Sequence, residues 1–143
     1  MMGDIELDLA AALGAEPAVS LQVLSIYLPN KDRYGTEFDA SPWIKEAGEM
    51  LFRIGGGATV MPPQEGVTAD ESGVPLWEST VVVYTYVTDA LVRELPALRA
   101  FLHRYGRTTN QREVGVSLAG EGQSLFSGSR DSIEDRAPAR SIG

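Results

Sequence analysis

The sequence predicts an α+β sandwich, with two helices on one face of a four-stranded sheet dominated by antiparallel pairs. Three observations lead there. Residues 21–28 and 80–87 are nearly all apolar and rich in β-branched and aromatic types, as buried central strands are. Two longer segments repeat apolar residues at helical spacing. After a short N-terminal helix the elements run strand, helix, strand, strand, helix, strand. The compact solution for that order has two right-handed crossovers in one antiparallel-plus-parallel sheet, with both helices on a single face.

Taken in order, residues 4–13 place Ile5, Leu9, Ala12 and Leu13 on one stripe of a short helix that Gly14 would stop. Residues 21–28 form the first strand, ended by Pro29, and residues 30–35 carry turn chemistry. The first long helix begins with Ser41 as its N-cap and Pro42 at its first position. It buries Trp43, Ala47, Met50, Leu51 and Ile54, and ends at Gly55, Gly56 and Gly57. Residues 58–61 make a short strand stopped by Pro62 and Pro63, and residues 64–75, polar with two glycines, read as a long hairpin connection.

In the strand of residues 80–87, Val81, Val83, Thr85 and Val87 share one face, and Thr80, Val82, Tyr84 and Tyr86 the other. Asp89 caps a second helix whose stripe is Leu91, Leu95, Leu98, Leu102 and Tyr105. Pro96 should kink or split this helix, and Gly106 should end it. A last strand, residues 113–118, turns Val114, Val116 and Leu118 inward. The two most apolar strands then take the centre of the sheet, the arrangement of a ferredoxin-like βαββαβ sandwich. Residues 1–18 are expected as a helical extension, 19–126 as the domain and 127–143 as a disordered tail with little to bury.

A chain of 143 residues, 43% hydrophobic and 22% charged, is large enough to enclose one core. It has no cysteine, which removes disulfides, thiolate nucleophiles, cysteine zinc sites and iron–sulfur clusters. No segment reaches the ~20 apolar residues of a membrane span. Asp4, Glu6 and Asp8 stand where a signal peptide carries cations, so a cytoplasmic location is expected. The net charge of −8 argues against a nucleic-acid partner. No metal site or cofactor is expected.

The segments around Ile26 to Gly35, Gly56 to Gly66 and Phe101 to Val116, with the valine-rich run VVVYTYV between them, resemble an uncharacterised bacterial family of small ferredoxin-like proteins. That resemblance implies the fold and no activity.

Polar chemistry concentrates late in the chain. Arg99, His103 and Arg107 would share a helix face beside Asn110, Gln111 and Glu113, a cationic setting for a small anionic ligand, with His103 as acid or base and Glu113 orienting it. The plainer account is that cations near a helix C-terminus offset its dipole. Residues 30–35 faintly suggest a calcium loop, but Tyr34 and Ser41 fall where carboxylates are required, so a turn is expected. The Gly55 to Gly57 run follows a helix and enters a strand, the reverse of a phosphate loop. Tyr27, Tyr84 and Tyr86 should stand together on the sheet face opposite the helices, where they suit an interface better than base stacking. The expected function is an accessory or interaction domain that self-associates through its sheet or binds a protein partner. The alternative is a ligand-binding protein or enzyme with a site around His103, Arg107 and Glu113.

Overall fold

The computed structural model describes residues 12–14, 22–120, 123–124 and 128–129. The expected N-terminal helix lies almost entirely outside these, as does most of the expected tail. The chain runs β1 (Val23–Pro29), α1 (Ser41–Gly55), β2 (Thr59–Val60), β3 (Gln64–Ala69), β4 (Pro75–Tyr86), α2 (Ala90–Thr108) and β5 (Glu113–Gly120). Two short strands follow, β6 (Gln123–Ser124) and β7 (Gly128–Ser129), both paired with β5. The sheet order is β2-β4-β1-β5, with β3 beside the first half of β4. Counting β2 and β3 as one interrupted strand, this is the ferredoxin-like arrangement. Every strand pair described is antiparallel, so the parallel component expected from the sequence is absent from the described ladder. No helix among the described residues is long and apolar enough to cross a membrane.

Strand register decides what is buried. Ile26 lies opposite Val83 of β4 and Val116 of β5, and Leu24 opposite Thr85 and Leu118. Because side chains alternate, this puts Leu24, Ile26, Leu28, Val81, Val83, Thr85, Val87 and Val114 under the helices. Helix α1 meets them with Ala47, Met50, Leu51 and Ile54, and α2 with Leu98, Phe101 and Tyr105. The α2 stripe is thus rotated from the expected one: Phe101 is buried and Leu95 is 47% exposed.

The helices are tied together by stacked rings. Trp43 sits edge-on to Tyr105 at 5.4 Å, and Phe101 lies near-parallel to Tyr105 at 6.5 Å. The Arg104 guanidinium lies 5.5 Å from the Trp43 ring and 5.7 Å from that of Phe101, while bonding both carboxylate oxygens of Glu46. Being partly exposed, that pair adds up to about 1 kcal/mol.

Boundaries shift where local chemistry decides them. Helix α1 starts at Ser41 itself, its N-cap being Ala40, and the Asp39 carboxylate accepts from the Ser41 N–H. Gly56, in the left-handed region at φ 83°, closes it as expected. Helix α2 has Asp89 at its N-cap position, but the Thr88 hydroxyl oxygen accepts the Ala90 N–H. It runs unbroken through Pro96, so the proline does not divide it, and through Gly106 to Thr108. Its stop comes later, at Asn110, whose φ of 54° supplies the left-handed turn that Gly106 was expected to give.

The largest departure is residues 64–75. The expected hairpin connection is itself largely strand: it forms β3 and a tight turn, so that β3 and β4 make a hairpin arm running past the end of β1. Asp70 builds the turn. Its carboxylate accepts from the Ser72 N–H, the Ser72 hydroxyl and the Val74 N–H, and Gly73 supplies the positive φ of 86°.

Gly55 packs against the end of β4. A β-carbon there would collide with the Thr85 hydroxyl and the Tyr86 carbonyl oxygen, both fixed by the sheet. Gly55→Ala is expected to destabilise the protein by about 1–3 kcal/mol, the usual cost of overpacking. Denaturant unfolding checks this, with Gly57→Ala, where no atom lies within 4 Å of the added carbon, as the comparison.

Candidate functional site

Three segments converge beyond the carboxyl end of β1. The first is the loop after β1, shaped by the Asp32 carboxylate, which accepts the Tyr34 and Thr36 N–H groups at 2.8 and 2.9 Å. This is the turn chemistry expected there, and it commits that oxygen to backbone. The second is the hairpin arm. The third is the link from α2 to β5, which the buried Gln111 stitches to the loop: its side-chain amide donates to the Lys31 carbonyl at 3.0 Å. The Arg33 N–H donates to the Asn110 carbonyl, and Arg33 Nη2 to the Gln111 carbonyl, each at 3.1 Å. Below them the Tyr105 hydroxyl donates to the Pro29 carbonyl at 2.9 Å; burial pushes that phenol's pKa upward.

Between the segments lies a small, open cleft. Pro29, Leu76 and Ala69 give it apolar wall. Asp32, Glu78 and Glu113 bring carboxylates, and Arg33 and Arg112 guanidinium groups. Burial pushes the Glu78 carboxyl above its ordinary value, and Lys31 pulls it partly back. The arm's turn reaches the cleft's far wall through Glu71, whose carboxylate stands 3.6 Å from Arg33 Nε and 3.4 Å from Arg112 Nη2. Opposite charges on one small cleft suit a compact polar ligand rather than a lipid or a polyanion.

The residues expected from the sequence divide between two places. Gln111 and Glu113 line the cleft. Asn110 contributes its backbone carbonyl and its left-handed turn. Arg99, His103 and Arg107 lie on α2, where both arginines are exposed and His103 is only 4% exposed. No hydrogen bond joins His103 to Glu113 among the described residues. Arg33 and Glu78 were not legible as site residues. Arg33 sits in a segment whose composition says only turn, and Glu78 in a stretch with no pattern of its own.

The tyrosines occupy the other side of the sheet. Tyr27 is opposite Val82, two register positions from the Ser25–Tyr84 pair on the same face, and Tyr84 and Tyr86 meet edge-on at 6.3 Å. Tyr27 lies over Gly115, where a β-carbon would come within 3.2 Å of its ring, and its hydroxyl is 3.3 Å from Ser117 Oγ. Tyr27 is 38% and Tyr86 58% exposed.

The chain matches no protein-family model and no curated protein. Among solved structures it is similar to a phage SAM lyase in complex with S-methyl-5'-thioadenosine, at 16% identity and a TM-score of 0.56 over 78% of this chain and 94% of that one. The apo form of a phage SAM lyase matches over the same shares at 13% identity and a TM-score of 0.53. The divalent ion tolerance protein CutA1 from Ehrlichia chaffeensis follows at 10% identity and 0.42, over 76% of this chain and 88% of that one. At these identities the two lyase structures bear on the fold alone.

His103 makes a pH prediction. Its burial, then the charges of Arg99 and Arg107, lower its pKa to about 3, against 6.5 in an unfolded chain. Below pH 6.5 the unfolded state therefore takes up a proton that the folded state refuses. Stability should fall with decreasing pH between about 6.5 and 3, by at most ~1.4 kcal/mol per pH unit from this residue. Denaturation midpoints across that range should lose this component in His103→Gln.

Proposed function

We propose that this protein is a self-associating cytoplasmic interaction domain whose copies meet through the open sheet face. The observation that carries this is the face itself. Both helices lie on one side of the sheet, and on the other Tyr27, Val82, Tyr84 and Tyr86 form a contiguous aromatic and aliphatic surface with Tyr27 and Tyr86 exposed. Tyrosine suits such a surface because it offers a large rigid contact area and a polar tip that tolerates water in the free state. The small residues of β5 on that face, Gly115, Ser117 and Ala119, keep it shallow enough for close approach. Native mass spectrometry of the full chain should give a whole-number multiple of 15.4 kDa. Tyr86→Asp, which leaves the core untouched, should shift it to monomer. A monomeric parent, or an assembly indifferent to Tyr86→Asp, rejects the reading.

A second reading, a small-molecule enzyme acting in the cleft, draws on Glu78. A half-buried carboxyl with a raised pKa, facing a cleft that also holds Glu113 and Gln111, has the character of a proton-transfer group. The likeness to phage SAM lyases over nearly the whole of those chains names the first compounds to try. Under this reading, calorimetry should detect binding of SAM or S-methyl-5'-thioadenosine, and Glu78→Gln should weaken it at least about tenfold, or ~1.4 kcal/mol. No heat with either compound rejects it.

A further inference from the structure

We propose that Arg33 and Arg112 form a recognition site for the carboxylate of a small ligand, and that in the free protein the carboxylate of Glu71 occupies it. The inference rests on the cleft described above as a ligand site but not on any nucleoside substrate. Three features of the structure converge on it.

First, the Arg33 side chain is only 11% exposed, on the wall of a cleft rather than at the surface. A guanidinium withdrawn from water to that degree is held by anionic or carbonyl partners, and two of those here are the Gln111 carbonyl and Glu71. Second, Glu71 is not needed where it stands. The turn that carries it is built by Asp70, and among the described residues Glu71 makes none of the turn's hydrogen bonds. Its separations of 3.4 and 3.6 Å are longer than the ~2.7–2.9 Å of a fully formed charge-assisted hydrogen bond. A carboxylate so placed is replaceable by one that fits better. Third, the same two arginines line the cleft, so a ligand within it meets the groups that Glu71 meets from the turn.

The charge balance specifies the ligand. Asp32, Glu78 and Glu113 border the same space, so a phosphate or a dicarboxylate would be repelled, whereas a single carboxylate replaces Glu71 without adding charge at the arginines. The rest of the molecule must be neutral or cationic. Arg33 and Arg112 would then act as binding residues and Glu71 as an internal competitor that sets the affinity.

Competition gives a direct test. The full-length parent and Glu71→Gln are titrated with acetate, and separately with inorganic phosphate, at constant ionic strength, following the arginine side-chain N–H resonances by NMR. Glu71→Gln should bind acetate about two- to fivefold more tightly than the parent, the range expected on removing an ion pair of this exposure. Adding Arg112→Gln, at a side chain 41% exposed and outside the core, should cancel the gain. Unchanged acetate affinity in Glu71→Gln, or a gain that survives loss of Arg112, overturns the proposal. Phosphate binding more tightly than acetate overturns the carboxylate assignment. Because neither probe is a nucleoside, failure here is separable from failure of the enzyme reading.

Discussion

Strand β1 is paired on both sides, to β4 over its whole length and to β5 over most of it, and the registers of those two ladders set nearly everything else. They align Leu24, Ile26 and Leu28 with Val83, Thr85, Val116 and Leu118 into one continuous apolar layer. A slip of one residue in either ladder would turn that layer outward and send Tyr27 or the small residues of β5 beneath the helices. The helices follow from the layer, since only one face of the sheet needs covering. The opposite face, with its tyrosines and no helix over it among the described residues, is the other consequence of the same alternation. Core and candidate interface are therefore two sides of one register.

The cleft is likewise a by-product of packing. Tyr105 is anchored in the ring cluster with Trp43 and Phe101, and its hydroxyl reaches through to the last carbonyl of β1. That contact fixes the end of β1 relative to the end of α2. The loop after β1 and the link before β5 must then lie side by side, and Gln111 and Arg33 bond across the seam. With those two segments fixed, the hairpin arm needs only to run past them to enclose a space. The polar residues of the cleft owe their proximity to a buried tyrosine that takes no part in it.

The sequence made the fold legible because the strands and helices that build the core carry strong apolar periods. Val23–Pro29 and the second half of Pro75–Tyr86 are such strands, and the two faces of the latter could be assigned residue by residue. Where a segment buries little, that signal vanishes. Strand β3 reads Gln-Glu-Gly-Val-Thr-Ala, exposed at nearly every position, and exists through backbone pairing with β4 rather than through burial. The helix stop was misplaced for a related reason. Gly106 is conformationally able to end α2, but it is buried where the helix packs closely, and Asn110 performs the turn. The candidate site was legible in part. Gln111 and Glu113 lie in a polar run that attracts notice, whereas Arg33 and Glu78 come from loop and arm and meet Gln111 only through the topology.

One feature of the sheet's outer border bears on how the protein avoids unwanted assembly. Between β2 and β3 the chain passes through Met61, Pro62 and Pro63, so the border beside β4 is two short strands separated by a diproline. Proline offers no N–H, and the break prevents a long, flat row of free backbone groups. At the opposite border β5 is partly capped by the two-residue strands β6 and β7. Neither border is a good template for adding strands from another molecule. Open-ended, fibre-like growth through backbone pairing is disfavoured at both margins, so the exposed tyrosines of the sheet face are not accompanied by open strand edges.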